Sequence, residues 1–340
     1  NYSSVLNNKN ILITGGTGSF GHQMIIELMN YKPKLIRIFS RDEDKQHNLK
    51  QEFLGHPILD KIQFVIGDVR DYERMYSVTK DMNIIFHAAA LKQVPTVEAH
   101  PYEAVKTNII GAYNVVTAAV EHGVNKVVAV STDKAVKPVN SMGMTKALQE
   151  KLILSDEITN DKTMFVCVRY GNVLGSRGSI VPKFVEQISL GRKITITDPN
   201  MTRFNITMNQ ALELIFRALK NSEGGDVHVP KLEAYRVGDM KDVILELMES
   251  NTEAEKIPVR PGEKYDEILI NEHEIRNTYE NQDNDYVIYE NQLTKDRSEK
   301  IPNSKKAALT TEYSSDKVKL VSKKELKEIF TKQNLIPKSS

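Results

Sequence analysis

A glycine-rich turn between an apolar run and a helix narrows the possible folds of this chain more than any other feature. The apolar segment Asn10–Thr14 is followed by Gly15-Gly16-Thr17-Gly18-Ser19-Phe20-Gly21, and a helix is expected from about Phe20. Glycines at 15, 18 and 21 allow a tight turn and let the backbone approach a pyrophosphate that sits on the helix N-terminus. Because strand, turn and helix occur in the required order, we predict a dinucleotide site here. An ordinary glycine-rich turn between a strand and a helix is the alternative.

The segments that follow alternate between strands and helices. Apolar runs predict strands at about 35–39, 62–66, 83–87, 126–130 and 165–169. Five or six such alternations without hairpin signals indicate an α/β fold with a doubly wound parallel sheet. The later, shorter elements predict a smaller C-terminal lobe that closes a substrate cleft over the strand ends.

These patterns predict three parts. A nucleotide-binding domain takes residues 1–175, and residues 206–230 return to it. Residues 176–205 and 231–285 form the substrate lobe, and residues 286–340 form a polar C-terminal arm with a terminal helix. Because residues 277–317 are polar and lack periodicity, we expect them to be extended or flexible, with an interface arm as one role.

Composition excludes several classes of protein. The chain has 340 residues, with 46 Lys and Arg, 45 Asp and Glu, and a net charge of +1, so nothing favours nucleic acid or an acidic membrane surface as partner. Cys167 is the only cysteine, which excludes an internal disulfide. We find no signal peptide, no apolar run that could span a bilayer and no metal-binding pattern. A soluble, cytoplasmic protein is therefore expected.

Residues after the second strand bear on the choice between NAD and NADP. Arg41 lies twenty positions after Gly21. An acidic residue there would hold a ribose hydroxyl, whereas an arginine accommodates a 2′-phosphate. Arg41, with Ser40 and Lys45, therefore favours NADP. The alternative is that Arg41 and Lys45 are solvated side chains on one face of a helix.

Further cofactor contacts are expected after the third and fourth strands. Asp68 is placed to accept a hydrogen bond from the adenine amino group, and Val69 offers a backbone contact. The small side chains of Ala88 and Ala89 let the backbone approach the nicotinamide ribose. Lys92, just beyond them, is a candidate for a phosphate or for the substrate.

The end of the fifth strand carries the groups best suited to catalysis. The run Lys126–Val130 leads into Ser131-Thr132-Asp133-Lys134, and Lys146 follows from the next helix, on the same face as Met142. Ligands of open α/β sheets bind outside the carboxyl ends of the strands. A carboxyl group and an amine there suit an elimination, since one can donate a proton to a leaving hydroxyl and the other can remove a proton from carbon. A solvated salt bridge is the alternative.

Several strings together carry a resemblance. The turn at 14–21, Asn108, the Ser-Thr-Asp-Lys strand end and Lys146 resemble the extended short-chain dehydrogenase/reductase superfamily. Over about residues 10–274, the chain more narrowly resembles the inverting UDP-N-acetylglucosamine 4,6-dehydratases. The strings that do so are Phe39-Ser40-Arg41-Asp42-Glu43, His87-Ala88-Ala89-Ala90-Leu91-Lys92-Gln93-Val94-Pro95, Ser131-Thr132-Asp133-Lys134-Ala135, Arg169-Tyr170-Gly171-Asn172-Val173 and Thr197-Asp198-Pro199-Asn200-Met201-Thr202-Arg203-Phe204.

One departure from the superfamily pattern indicates the subgroup. The superfamily normally has Tyr-x-x-x-Lys, whereas this chain has Met142-x-x-x-Lys146. A thioether cannot act as a base. The substitution is similar to the CapE/FnlA-type subgroup, which starts the route to L-sugars for capsule or O-antigen polysaccharide.

The resemblance implies NADP as cofactor, UDP-N-acetylglucosamine as substrate and a homo-oligomer such as a hexamer. It implies catalytic roles for the Asp133–Lys134 pair, with Thr132, Met142 and Lys146 around it, and cofactor contacts from Asn108 and Lys146. A UDP-hexose 4-epimerase and a non-catalytic NADP-binding regulatory protein remain as alternatives. Residues implied in substrate binding are Lys92, Asn172, Arg203, Arg260, Glu263 and Lys264.

Overall fold

A computed structural model describes residues 1–155, 162–289 and 304–336, and ten of its strands form one central sheet. The strands are β1 Asn10–Thr14, β2 Leu35–Ser40, β3 Ile62–Ile66, β4 Ile84–His87, β5 Lys126–Thr132, β6 Met164–Tyr170, β7 Ile194–Ile196, β8 Thr202–Phe204, β9 Asp226–Val229, β10 Ala234–Arg236, β11 Ala254–Lys256, β12 Ile268–Ile270, β13 Thr278–Glu280, β14 Tyr286–Tyr289, β15 Lys305–Lys306 and β16 Tyr313–Ser314. The α-helices are α1 Ser3–Leu6, α2 Ser19–Met29, α3 Glu43–Glu52, α4 Tyr72–Thr79, α5 Val94–Ala99, α6 Pro101–Ala104, α7 Gly111–Glu121, α8 Ser141–Ile153, α9 Ile180–Ser189, α10 Met208–Asn221, α11 Val237–Leu247 and α12 Lys323–Gln333.

The order of the strands creates a crevice. Across the central sheet the order is β3-β2-β1-β4-β5-β6-β9-β14-β13-β15, and the seven strands from β3 to β9 are parallel. The chain winds outward in one direction from β1 to β3 and in the other from β4 onward. Ligands of such sheets bind beyond the carboxyl ends of the strands at this switch point, between β1 and β4. The predicted doubly wound α/β fold is confirmed.

The sequence did not indicate how the far edge of the sheet is built. Strands β13 and β14 form an antiparallel hairpin, β14 pairs with β9, and β15 pairs with β13. Residues 278–280, 286–289 and 305–306 therefore lie in paired strands of the sheet and not in an irregular segment. The strands are two to four residues long and carry charged residues, which is typical of protected edges and hides their periodicity. Residues 313–314 of the expected arm form β16, which pairs with β12. Residues 290–303 of the arm lie outside the described residues.

Two hydrophobic clusters organise the described chain. The larger one joins the central sheet to the helices that cover it. The smaller one includes Val181 and Phe184 of α9, Met240 of α11, and Leu326 and Phe330 of α12. The terminal helix thus packs into the smaller cluster and is not separate from it, and the ammonium group of Lys323 lies 2.5 Å from a carboxylate oxygen of Asp242. The cleft described next lies between the parallel strand ends and this smaller cluster.

Candidate active site

The glycine-rich turn forms a cradle at the N-terminus of α2. Gly15 has φ +69°, and a Cβ atom there would lie 2.7 Å from the backbone nitrogen of Ala89. A Cβ atom on Gly21 would meet the carbonyl oxygen of Gly16, so Gly21 allows close packing of the helix on the turn. Gly18 precedes the first helical residue, and a Cβ atom there would meet no atom within 4 Å. The turn is therefore closely packed against the protein at Gly15 and Gly21 and open to the cleft at Gly18. This arrangement fits a pyrophosphate at a helix N-terminus.

A cleft of about 570 Å³ extends from this cradle across the carboxyl ends of the parallel strands. A second cavity of about 360 Å³ adjoins it and is lined by Thr17 and Lys45, together with Gly18 and Ser19. The sequence-predicted residues that line the larger cleft are Gly15, Gly18, Ser19, Phe20, Ala88, Lys92, Thr132, Asp133, Lys134, Met142, Lys146, Asn172, Arg203, Arg260, Glu263 and Lys264.

Asp133 is a buried carboxylate that lines the cleft, and only 2% of the residue is exposed. The hydroxyl of Thr132 donates a hydrogen bond to its Oδ1 atom over 3.0 Å, and the ammonium group of Lys134 donates to the same oxygen over 3.3 Å. Within the described chain, Oδ2 of Asp133 has no hydrogen-bond donor. One oxygen is thus fixed by neighbours and the other is available to a ligand, which is the geometry that a proton donor or acceptor needs.

Lys92 and Lys146 both line the cleft. Nζ of Lys146 donates to the carbonyl oxygen of Val130 over 2.8 Å, and burial, with repulsion from Lys92, lowers the pKa of Lys146 to about 8. Lys92 has solvent-accessible surface in the cleft. Because the cleft walls surround its ammonium group, desolvation lowers the pKa of Lys92. His87 is buried behind them, its Nδ1 atom 2.7 Å from the hydroxyl of Thr14, and desolvation lowers its pKa to about 3. His87 is therefore a neutral packed residue at neutral pH.

Met142 and Asn108 support the cleft in different ways. Met142 lines the cleft and packs with Val97 and Ala104, so an apolar thioether occupies the position of the usual tyrosine. Asn108 is fully buried: its amide donates to Leu91 and to the hydroxyl of Thr145, and its oxygen accepts from the backbone of Leu91. Asn108 thus connects the loop after β4 to α8 and is not among the residues that line the cleft.

The residues expected at the adenine end contact each other. Arg41 lies 3.7 Å from Asp68, and Asp68 also accepts hydrogen bonds from Arg70. The hydroxyl of Ser40 accepts from Gln46, the ammonium group of Lys45 pairs with Asp42, and the carbonyl group of Val69 accepts from Asn114. All of these contacts join residues of the protein to each other, and none of them distinguishes a 2′-phosphate from a ribose hydroxyl. The preference for NADP therefore stays a prediction.

Arg203 and Lys264, which were expected to bind the substrate, both donate hydrogen bonds to backbone carbonyl groups of the protein. The guanidinium group of Arg203 donates to the carbonyl oxygens of Thr202, Lys264 and Tyr265. The ammonium group of Lys264 donates to the carbonyl oxygen of Val136. Both residues therefore hold the loop at 260–267 against the strand ends. Sequence reasoning missed Lys183 of α9, which lines the cleft. Burial, followed by repulsion from Arg260, lowers the pKa of Lys183.

Sequence reasoning also missed Glu267. This residue precedes β12, is 4% exposed and lines the cleft. Its Oε2 atom accepts a hydrogen bond of 2.8 Å from the backbone of Phe204. Burial and repulsion from Asp133 raise the pKa of Glu267 to about 7. The only available signal was an acidic residue in the resembling region, because no local pattern places residue 267 beside the end of β5.

Comparison with known proteins gives the family. A family model described as "polysaccharide biosynthesis protein" matches residues 11–289. A UDP-glucose 4-epimerase of Rickettsia bellii is 41% identical over 338 residues, which cover 95% of each chain. An uncharacterized membrane protein of Methanocaldococcus jannaschii is 39% identical and aligns over 96% of this chain and 97% of its own. In the described residues of the present chain, however, no helix is long and apolar enough to cross a membrane.

Solved structures agree with this assignment. The X-ray structure of Pen from Bacillus thuringiensis has a TM-score of 0.89 at 38% identity and covers 97% of this chain and 99% of its own. The dTDP-glucose 4,6-dehydratase DesIV of Streptomyces venezuelae, at 19% identity, shares the fold with a TM-score of 0.69 over 75% of this chain and 86% of its own. The chain therefore belongs to the polysaccharide biosynthesis protein family and has the extended short-chain dehydrogenase/reductase fold of nucleotide-sugar epimerases and dehydratases.

Proposed function

We propose that this protein is an NADP-dependent 4,6-dehydratase that acts on UDP-N-acetylglucosamine and inverts carbon 5. The observation that carries the proposal is the Asp133–Lys134 pair at the end of β5, whose carboxylate oxygen and ammonium nitrogen are 3.3 Å apart in the cleft. A carboxyl group and an amine side by side are the two groups that removal of water across carbons 5 and 6 requires. The product would be a UDP-4-keto-6-deoxy-L-hexosamine for a surface polysaccharide.

The cradle fits a dinucleotide. Gly15, Gly18 and the N-terminus of α2 would hold the pyrophosphate, and Lys146 would hold the nicotinamide ribose. A bound NADP would supply the hydride chemistry of the reaction, from carbon 4 of the sugar and back to carbon 6. The neighbouring cavity with Thr17 and Lys45 would extend the site toward the adenosine.

The side chains supply the proton transfers. Lys134 removes the proton from carbon 5, which the adjacent ketone has made acidic. Oδ2 of Asp133 donates a proton to the hydroxyl on carbon 6, which leaves as water. Reprotonation of carbon 5 on the opposite face gives the L configuration. Because Met142 cannot act as a base, either Lys134 or a water held by Thr132 takes the proton of the carbon 4 hydroxyl.

The diphosphate of the substrate would lie at the far end of the cleft. Lys183 and Arg260 are close enough there to repel one another, and a dianionic group between them would relieve that repulsion. Asn172 and Glu263 would contact the sugar and the nucleoside. Arg203 and Lys264 would act through the loop that they hold.

A UDP-hexose 4-epimerase is the second candidate, and the name of the Rickettsia bellii relative favours it. An epimerase shares the fold and the first hydride transfer but needs no acid at carbon 6. A non-catalytic NADP-binding regulatory protein is the third candidate.

The variant Asp133→Asn tests the proposal against both alternatives. General acid catalysis is worth about 10²–10⁴-fold, so dehydration of UDP-N-acetylglucosamine should fall by that factor while the affinity for NADP stays within about twofold. Asp283→Asn, in an exposed hairpin turn, is the matched control and should leave turnover unchanged. Unchanged dehydration in Asp133→Asn would contradict the proposal.

A further inference from the structure

Asn140 connects helix α8 to the loop at 260–267. The residue is 4% exposed, lines the cleft and directly precedes the first residue of α8. Its Oδ1 atom accepts a hydrogen bond of 2.7 Å from the backbone N–H of Gly143, and its Nδ2 atom donates one of 3.0 Å to the carbonyl oxygen of Gly262. One side chain therefore caps α8 and also holds the loop that carries Arg260.

The helix cap does not by itself require an asparagine at position 140. Serine and aspartate cap helices about as well as asparagine does, because a cap needs only an oxygen that accepts a backbone N–H. The bond to the carbonyl group of Gly262 needs a donor at the same time, and an amide carries an acceptor and a donor on one carbon. The residue type thus exceeds what the cap requires and matches the bond to the loop.

The backbone of Gly262 approaches Asn140 closely. Gly262 has φ +76°, and a Cβ atom there would lie 2.8 Å from the Cβ atom of Asn140. Two residues further along the loop, the ammonium group of Lys264 donates to the carbonyl oxygen of Val136. Two polar contacts therefore join this loop to the segment at 136–140, which follows the end of β5.

We propose that Asn140 is a positioning residue that acts through Gly262: it holds the loop in the arrangement in which Arg260 meets the diphosphate of the substrate. A loop that is ordered before its ligand arrives loses less conformational entropy on binding, so the ligand binds more tightly. Arg203 holds the next carbonyl groups of the same loop, at Lys264 and Tyr265. The diphosphate at Arg260 rests on the proposed function, whereas the connection between α8 and the loop does not.

Two variants separate the bond to the loop from the helix cap. Asn140→Ser and Asn140→Asp both keep an oxygen that can cap α8. Serine is too short to reach Gly262, and aspartate has no donor. The cap must be kept because a Cβ atom on Gly143 would meet the carbonyl oxygen of Lys134, so the first turn of α8 packs on the catalytic pair.

The first test needs no ligand. Hydrogen–deuterium exchange of the free protein follows the amides of Arg260 and Glu263, which are hydrogen-bonded within the loop, and the amide of Gly143 in α8. One hydrogen bond is worth about two- to tenfold in an equilibrium, so the loop amides should exchange faster by about that factor in both variants. The amide of Gly143 should keep its protection. Unchanged exchange in the loop would overturn the proposal.

The second test uses UDP as the probe, in isothermal titration calorimetry. Both variants should bind UDP about two- to tenfold more weakly than the wild type, with affinity for NADP within about twofold. Asn140→Ser is neutral, so it separates this effect from repulsion between a new carboxylate and the diphosphate. Asn251→Asp adds the same charge in an exposed loop and is the matched control. A loss confined to Asn140→Asp would contradict the proposal, and so would a wild type that does not bind UDP.

Gly262→Ala disturbs the same contact from the loop side and completes a double-mutant cycle. If both residues act through this contact, Asn140→Ser combined with Gly262→Ala should lose about as much UDP affinity as the weaker-binding single variant. Losses that multiply would mean that Asn140 acts on the ligand by another route, and the inference would be wrong.

Turnover distinguishes the inference from the proposed function. In Asn140→Ser the KM for UDP-N-acetylglucosamine should rise about two- to tenfold while kcat stays within about twofold, because the Asp133–Lys134 pair is untouched. A lowered kcat with an unchanged KM would contradict the positioning role. If UDP affinity and loop exchange change as expected but the wild type dehydrates no UDP-N-acetylglucosamine, the proposed function fails and the role of Asn140 stands. If one Asn140 variant does not fold, the other variant and Gly262→Ala decide.

Discussion

Substitution of Gly15 and of Gly18 by alanine should separate the contribution of the glycine-rich turn to stability from its contribution to NADP binding. Gly15 has φ +69° and backbone of Ala89 within 2.7 Å of a new Cβ atom. The left-handed conformation costs about 1–2 kcal/mol for a residue with a Cβ atom, and overpacking costs about 1–3 kcal/mol. Gly15→Ala should therefore lower the free energy of unfolding by about 2–5 kcal/mol.

Gly18→Ala should behave in the opposite way. Its φ of −90° suits alanine and no atom lies within 4 Å of the new methyl group, so the cost should stay below about 1 kcal/mol. The methyl group points into the space that the pyrophosphate would approach. We expect affinity for NADP to fall at least about tenfold, as measured by isothermal titration calorimetry, because close backbone approach is lost.

A third glycine isolates the conformational cost. Gly123 has φ +63°, but a Cβ atom there would meet nothing within 4 Å. Gly123→Ala should therefore cost about 1–2 kcal/mol, the conformational part alone, in urea unfolding of the three variants. If Gly15→Ala destabilises no more than Gly123→Ala, the steric argument is wrong. If Gly18→Ala binds NADP as tightly as the wild type, the cradle has been misassigned.

Three further predictions concern charge. Arg169 is buried and paired with Glu150 and Glu274, so Arg169→Met should cost about 3–5 kcal/mol in urea unfolding, and a cost below about 1 kcal/mol would contradict this. Burial lowers the pKa of Lys146 from 10.5 to about 8, so the unfolded chain keeps its proton longer than the folded one and stability should rise between these pH values. The wild type should gain roughly 3 kcal/mol over Lys146→Met across that range, and parallel pH profiles would contradict the shift. Arg41→Ala should reduce affinity for NADP about tenfold or more relative to NAD, and an unchanged ratio would remove the case for NADP.

Much of the fold could be predicted because it depends on local patterns. The apolar runs of β1 to β6 and the glycine-rich turn are local sequence patterns that indicate their structure directly. One detail is not visible in such patterns: α6 and α7 are joined by a π-helical turn at Val105–Ile110, which contains Asn108. A one-residue register change of this kind leaves the apolar pattern almost intact, so the sequence does not reveal it.

The parts that escaped prediction depend on long-range contacts. Glu267 lies beside Asp133 only because β12 pairs with β16 and Ser315 holds its backbone, and these partners are about 48 residues apart in the chain. Arg203 looked like a diphosphate ligand, but its neighbours in the loop at 260–267 accept its hydrogen bonds. Residue type indicates what a side chain can bind, whereas the fold decides which partner is nearest.

Mass spectrometry of UDP-N-acetylglucosamine incubated with the protein and NADP in heavy water tests the central claim most directly. The account predicts the loss of one water and the gain of one deuterium at carbon 5, because Lys134 would remove that proton and solvent would replace it on the other face. A product of unchanged mass without deuterium would contradict the account and favour an epimerase.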